Sequence, residues 1–158
     1  MIVETRPSPI ERLYREQGDR MWRSLLAFAG DPDLASDALS EAFAQALRRG
    51  DAINDPERWV WRVGFKIAGG ELKDRAKHAS SQPTVEGSYE MDEPARDLVA
   101  ALAQLSPKQR AAVVLHHAAG YPLKDVAAIV GSSQGAVKVH LARGRSRLRE
   151  LLGDEDDA

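Results

Sequence analysis

The amino-acid sequence predicts an all-α protein, with two small helical domains joined by a flexible acidic linker and a helix-turn-helix in the second domain. Three observations support this fold class. Apolar residues recur at the spacing of helices along most of the chain. Four Ser-Pro or Asp-Pro pairs stand where such stretches begin, and alternating strand patterns are almost absent. The 158 residues, 43% apolar and 29% charged, also have a globular composition.

The first predicted domain, residues 8–78, contains three helices that begin at Ser8-Pro9, Asp31-Pro32 and Asp55-Pro56. The Ser or Asp side chain can accept an unpaired N–H of the first turn. Proline at the first helical position loses only a donor that has no partner there. The apolar residues at helical spacing are Ile10, Leu13, Tyr14, Met21, Trp22, Leu25, Leu26 and Phe28, then Leu34, Leu39, Ala42, Phe43, Ala46 and Leu47, then Trp59, Val60, Val63 and Ile67.

The second of these helices carries a polar stripe. Asp37, Glu41 and Gln45 lie at positions i, i+4 and i+8, opposite the apolar residues. From these residues alone, a solvent-exposed face is the favoured interpretation.

The third helix interleaves aromatic and basic residues. Cations that follow a backbone and rings that stack on unpaired bases are typical of single-stranded nucleic acid binding. Trp59 is favoured as a core residue. Since Trp61 and Phe65 cannot both share its face, at least one of them is expected near the surface. The candidate contacts are Trp61, Arg62, Phe65, Lys66 and Lys73.

Residues 79–95, ASSQPTVEGSYEMDEPA, have no sustained period and combine Ser, Pro and Gly with acidic residues. We interpret them as a linker, with a long loop inside one domain as the alternative. The net charge of −2 conceals an asymmetry, because residues 95–152 carry a net charge of +6 between two acidic segments. This distribution indicates a polyanionic partner.

The second predicted domain, residues 96–152, includes a helix beginning at Ser106-Pro107 and ends in a helix-turn-helix. A short helix, 123–130, is followed by Gly131, where a helix can end in a left-handed residue. Ser132 or Ser133 can cap the next helix. That helix has one buried stripe, formed by Val137, Leu141, Leu148 and Leu151.

Between Ser132 and Arg149 this last helix carries five Lys or Arg and no acidic residue. The N-terminal turns of such a recognition helix approach base edges in the major groove, and basic residues further along contact phosphates. The candidates for base edges are Ser133, Gln134, Lys138 and Ala142, and those for phosphates are Arg143, Arg145 and Arg147. A solvated basic face on an ordinary helix is the alternative. The motif alone does not separate a repressor, an activator and a polymerase specificity subunit.

The composition argues against disulfide-bonded, metal-binding and catalytic proteins. With no cysteine, the chain has no disulfide framework, Cys-based zinc site or thiol nucleophile. His116 and His117 are adjacent and point to different faces of a helix, so they make a poor metal pair, and His78 and His140 have no obvious carboxylate partner at ligand spacing. We therefore expect no catalytic residue, metal, cofactor or small-molecule substrate. Neither a membrane span nor a signal peptide is evident, which predicts a cytoplasmic protein.

The order of these elements resembles an RNA polymerase sigma factor of the extracytoplasmic-function (ECF) class, over about residues 8–152. The segment DLASDALSEAFAQAL is similar to the family's core-binding helix. DPERWVWRVGFKIAGGELKDR is similar to its minus-ten recognition helix. The residues from LSPKQRAAV to GRSRLREL resemble its minus-thirty-five domain.

The resemblance implies that Asp37, Glu41 and Gln45 bind core RNA polymerase. It implies that the loop 49–57, with Asn54, captures an unstacked base of the minus-ten element, which would help to open the duplex. It adds His140 to the minus-thirty-five contacts. It also implies an acidic linker that threads toward the polymerase cleft, and an anti-sigma protein as a further partner besides promoter DNA.

One alternative stays open at this point. A dimeric helix-turn-helix regulator that binds duplex DNA would account for the second domain. It gives no role to the aromatic and basic helix of the first domain. The two differ in behaviour, because a sigma factor should bind promoter duplex poorly alone and well with core polymerase.

Overall fold

The structure, a computed structural model, describes residues 6–78 and 91–153. Within these ranges the chain forms seven α-helices and no strand, which confirms the all-α prediction. The N-terminal half (residues 6–78) consists of α1 (Pro9–Ala29), α2 (Pro32–Arg49), a 3-10 turn (Gly50–Ala52) and α3 (Pro56–His78). The C-terminal half (residues 91–153) consists of α4 (Glu93–Leu102), α5 (Pro107–Val113), a π-helical turn (Val114–Ala118), α6 (Leu123–Val130) and α7 (Gln134–Leu152).

The four predicted helix starts are confirmed by their capping bonds. Ser8 Oγ accepts a backbone N–H at 3.2 Å, and Asp31 Oδ1 accepts one at 2.9 Å. Asp55 Oδ1 accepts the N–H three residues later at 3.3 Å. Ser106 and Gln109 form a complete capping box, in which each side chain accepts the other's N–H at 3.2 Å. These local bonds explain why each helix begins where the sequence indicates.

The predicted linker, 79–95, is too long at its C-terminal end. Asp92 Oδ1 accepts the Ala95 N–H at 3.0 Å, so α4 begins at Glu93 and the last three predicted linker residues are helical. Residues 79–90, which hold most of the predicted linker, lie outside the described residues.

The N-terminal half packs its three helices around a shared apolar core. Met21, Leu25 and Val60 are at most 1% exposed. α3 approaches α1 closely at Gly64, where an added Cβ would lie 2.3 Å from Met21 Cε. The apolar faces predicted for α1, α2 and α3 therefore meet in one three-helix unit.

The C-terminal half depends on a close approach of α7 to α5 at Gly144. An added Cβ there would lie 2.8 Å from Val113 Cγ2, 3.3 Å from Leu105 Cδ2 and 3.4 Å from the Gln109 carbonyl oxygen. A valine side chain and a backbone carbonyl have little freedom to move away. Glycine is therefore required at this position by packing, although its backbone is helical.

We expect Gly144→Ala to lower the free energy of unfolding by about 1–3 kcal/mol, because the new methyl group overpacks the contact between α5 and α7. Urea denaturation would measure it. Gly135→Ala on the same helix is the matched control, since the nearest atom to its added Cβ is 4.0 Å away. The control should be neutral or more stable by about 0.5–1 kcal/mol. Equal stability of the two variants would contradict the packing argument.

The two halves pack against each other rather than lying apart. α3 contacts α6, and α1 contacts both α4 and the π-helical turn. Buried apolar residues of both halves form one continuous cluster. The Trp61 and Tyr121 rings meet edge to face at 5.1 Å across the boundary. The sequence predicts two domains but contains no indication of this contact.

Candidate nucleic-acid and polymerase interfaces

α6, Gly131 and α7 form the predicted helix-turn-helix. Gly131 has φ of 70°, a left-handed conformation that glycine adopts without strain. Ser133 Oγ accepts the Ala136 N–H at 3.1 Å and caps α7. Val137 and Leu141, at 1% and 3% exposure, anchor α7 on the rest of the C-terminal half. The anchoring fixes which face of α7 points to solvent.

That outer face of α7 carries the predicted minus-thirty-five residues. His140 is the one member of the set that is partly buried. Arg147 is exposed but its Nη1 lies 3.0 Å from Glu150 Oε2, so part of its charge is neutralised in the free chain. The structure brings the predicted residues together along one helix. Those that are exposed are Ser133, Gln134, Lys138, Ala142, Arg143, Arg145 and Arg147.

A second candidate surface surrounds a cavity of about 400 Å³ at the start of α3. The predicted residue Asn54 lines it and is exposed, and the Trp59 ring forms part of the wall. The Arg49 guanidinium lies 5.5 Å from the centre of the Trp59 ring. Arg58 and Arg62 also line the cavity. A cavity with an aromatic wall and several guanidinium groups suits an unpaired base and its phosphate.

Two predicted minus-ten residues are not at this surface. Trp61 is 1% exposed and Phe65 is 6% exposed, so the expectation that at least one lies near the surface is wrong. The two are four residues apart and share one face of α3, where their rings stack at 6.1 Å. The Trp61 Nε1–H also donates to Gln17 Oε1 at 3.2 Å.

The aromatic residue that sequence reasoning missed is Trp59. It packs against the core, as the sequence predicts, but it is also partly exposed and lines the cavity. Its position in the first turn of α3, next to the loop that carries Asn54, could have indicated that Trp59 lies at this surface. The basic members of the predicted set, Arg62, Lys66 and Lys73, are all exposed.

The third candidate surface is the polar stripe of α2. Asp37 and Glu41 are exposed and Gln45 is partly buried. Glu41 accepts hydrogen bonds from Gln45 Nε2 at 3.0 Å and from Arg48 Nη2 at 3.2 Å. Both bonds lower the pKa of the Glu41 carboxyl below its usual value, and the bond from Gln45 contributes most. The group therefore stays ionised.

Beside this stripe, α1 and α2 border a groove of about 370 Å³. Tyr14, Ser36 and Ser40 are among its lining residues. Tyr14 is 52% exposed and meets the Phe43 ring edge-on at 5.0 Å. An exposed aromatic ring is typical of a protein interface, and its exposure could not be foreseen from the sequence.

The described residues contain no group of three or more His, Asp or Glu that could hold a metal ion. His116 Nδ1 lies 2.8 Å from the Tyr121 carbonyl oxygen. Burial, with smaller contributions from His116 and Arg145, lowers the pKa of His117. No helix in the described ranges is long and apolar enough to cross a membrane.

Comparison with known proteins identifies chains that are similar to this one. The family model for sigma-70 region 4 matches residues 95–148. The chain is 32% identical to an RNA polymerase sigma-E factor of Streptomyces antibioticus, over 92% of this chain and 86% of that protein. It is 34% identical to the ECF RNA polymerase sigma factor EcfG of Rhodopseudomonas palustris, over 84% of this chain and 83% of that protein.

The fold also has a solved counterpart. The sigma factor RpoE, in complex with the anti-sigma factor NepR from Bartonella quintana, aligns with a TM-score of 0.71 at 22% identity. The alignment covers 91% of this chain and 98% of RpoE. At this identity, the likeness establishes that the two chains share an all-helical fold.

Proposed function

This chain belongs to the ECF family of RNA polymerase sigma factors, and from that premise we propose which of its surfaces bind polymerase and promoter DNA. A sigma factor binds core RNA polymerase and directs it to promoters, so the protein acts in promoter-specific transcription initiation. Its relatives match both halves of the chain. The alternative of a dimeric helix-turn-helix regulator is therefore not favoured.

The observation that carries the surface assignment is the outer face of α7. Its exposed Lys138, Arg143 and Arg145 follow a capped turn, and the first acidic residue of the helix is Glu150. We assign this face to the major groove of the minus-thirty-five element. The first turn, with Ser133 and Gln134, is placed at base edges, and the arginines are placed at phosphates.

The surface around Asn54 is assigned to the minus-ten element. Its cavity combines an amide, the Trp59 ring and exposed guanidinium groups, which together can hold an unstacked base and its phosphate. Arg62, Lys66 and Lys73 on the same helix extend the basic surface for the melted strand. Trp61 and Phe65 support this helix from inside rather than contact DNA.

The polar stripe of α2 and the adjacent groove are assigned to core polymerase. Ionised Glu41 and exposed Asp37 offer a negative surface, and Tyr14 adds an exposed ring. A solved relative is bound to an anti-sigma factor. We propose that this protein also has an anti-sigma partner. We further propose that it acts in the cytoplasm, needs no cofactor and has no catalytic activity of its own.

Replacing Asp37 and Glu41 together with lysine is expected to weaken binding to core polymerase at least about tenfold, because the interface would then meet like charges. Fluorescence anisotropy of the labelled sigma factor would measure the affinity. The matched control is Asp74→Lys with Asp97→Lys, which makes the same charge change at exposed positions elsewhere. An equal loss of affinity for core polymerase in both double variants would indicate a non-specific charge effect and contradict the assignment.

Run-off transcription tests the proposal as a whole. Core polymerase from the source organism is mixed with this protein and a fragmented genomic library. Discrete transcripts that share a two-part upstream motif are the expected result, and they give the promoter sequence directly. An absence of transcripts, with tight duplex binding by the protein alone, would instead identify a regulator.

A further inference from the structure

The outer face of α7 contains an exposed valine that the candidate DNA contacts do not include. Val139 is 46% exposed and stands between Lys138 and His140 in the second turn of the helix. It follows the buried Val137 by two residues, which is about 200° around a helix. The Val139 side chain therefore points almost directly away from the core on which Val137 and Leu141 pack.

Val139 belongs to a row of small uncharged residues. Gly135, four positions before it, and Ala142, three positions after it, lie on the same line of the helix surface. Ser146 extends the row by one more turn, and all four residues are exposed. Gly135, Val139 and Ala142 have no side-chain hydrogen-bond donor or acceptor. The centre of the outer face is therefore an apolar strip, formed by these three residues.

Basic residues border the apolar strip on both sides. Lys138 and Arg145 lie along one edge, and Arg143 and Arg147 lie along the other. All four are exposed. When a helix enters the major groove, the centre of its outer face meets base edges, and its flanks face the backbones of the two strands. In such a groove Val139 would be the residue directly opposite the bases.

The fold itself does not require a small residue at the start of the strip. A Cβ added at Gly135 would meet no atom nearer than Ser133 Oγ, at 4.0 Å. Gly144 differs, since an added Cβ there would lie 2.8 Å from Val113 Cγ2. Packing within the described part of the chain therefore does not set the size of residue 135. Glycine at this position lets the helix backbone approach another molecule closely.

The chemistry of the apolar strip restricts what it can recognise. The major-groove edges of the bases present hydrogen-bond donors and acceptors, and thymine adds a C5-methyl group. A valine side chain gains free energy by burying that methyl group. Against a polar edge it forms no hydrogen bond, and it leaves the donor or acceptor there without a partner. The strip therefore favours thymine over the other three bases.

We infer that Val139 is a specificity-determining residue, which binds the C5-methyl group of a thymine in the minus-thirty-five element. Gly135 and Ala142 let the helix come close enough for this contact. Gln134 and Lys138 read neighbouring base pairs through hydrogen bonds. The inference rests on the proposed function, because it takes α7 as the recognition helix. It adds a requirement for one A·T pair that the basic residues alone would not impose.

Replacing thymine with uracil tests this contact, because uracil lacks only the C5-methyl group. The probe is a promoter fragment found by run-off transcription, in which one thymine of the upstream element at a time is replaced. Electrophoretic mobility shifts measure its affinity for core polymerase bound to the full-length protein. With the wild-type protein, uracil at one position should lower the affinity about fourfold. This change corresponds to about 0.8 kcal/mol, the contribution of one buried carbon group.

Val139→Ala removes the apolar partner of the methyl group and keeps a good helix former at an exposed position. With this variant, uracil at the same position should change the affinity by less than about 1.5-fold, because the two changes remove the same contact. The matched control is Val130→Ala, the same substitution at a valine that is 37% exposed at the end of α6. The control should retain the fourfold loss.

Uracil effects that are the same in Val139→Ala and wild type at every thymine would overturn the inference. So would an upstream element with no thymine on either strand. In both cases the transcripts themselves would still support the proposed function. A failure of run-off transcription would instead overturn the proposed function, and the inference with it.

Discussion

Replacing Lys138 and Arg143 with alanine is expected to lower the affinity of the polymerase–sigma complex for a promoter about 100-fold. Both side chains are exposed on α7, after the turn that Ser133 caps. Lys138 is placed at a base edge, where a contact contributes about 1–3 kcal/mol, and Arg143 is placed at a phosphate, where a contact adds affinity for any sequence. Core polymerase binding should be unchanged, because the proposed polymerase surface is on α2. Electrophoretic mobility shifts with promoter DNA would measure the affinity.

Salt dependence separates the roles of the two residues. A residue that contacts phosphate releases counterions, so its loss lowers the slope of log affinity against log salt by about 0.9. A residue that contacts a base edge changes sequence preference instead. Arg96→Ala with Lys108→Ala, two exposed basic residues of α4 and α5, is the matched control. Unchanged promoter occupancy in the α7 variant would show that α7 is not the recognition helix.

The helix starts could be predicted from the sequence because their causes are local. A capping side chain and its N–H partner lie within three residues, as at Ser8 and Ser106. The same holds for Gly131, whose left-handed conformation ends α6. The basic face of α7 follows directly from helical periodicity. The all-α fold class and the exposed basic residues of α7 could therefore be predicted from spacing, whereas their assignment to a minus-thirty-five element comes from the family resemblance.

The remaining features depend on residues that are distant in sequence. Tyr121 meets Glu57 and Trp61 across at least 60 positions, as part of a contact between halves that the sequence predicts as separate domains. Periodicity gives the faces of one helix but does not identify its neighbours. For the same reason the sequence does not show that position 144 requires glycine, because the close contact comes from Val113 on another helix.

The surface proposed for the minus-ten element depends on both local pattern and long-range packing. Basic residues interleaved with aromatics correctly indicated that α3 has an exposed basic face, formed by Arg62, Lys66 and Lys73. The sequence does not show which aromatic residue faces outward. Trp61 faces inward because its N–H donates to Gln17 of α1. The aromatic position beside Asn54 is therefore Trp59.

Among the variants considered, Trp61→Ala is expected to lower stability the most. Trp61→Ala should lower the free energy of unfolding by about 3–5 kcal/mol, because it leaves a cavity among buried residues. It also removes the hydrogen bond to Gln17 and the ring contacts with Phe65 and Tyr121. Thermal and urea unfolding followed by circular dichroism would measure the loss. Even at a domain stability of about 5 kcal/mol, the low end for small proteins, about 0–2 kcal/mol would remain, so at the lower limit half of the molecules would be unfolded.

Trp59→Ala is the matched control on the same helix. Since Trp59 is partly exposed, its loss should cost clearly less stability than the loss of Trp61. It should weaken formation of the melted promoter complex, which permanganate reactivity of unpaired thymines would report. The opposite pattern, a stable Trp61→Ala protein unable to melt promoters, would place Trp61 at the DNA. The buried stack with Phe65 would then not be the arrangement that acts on promoters.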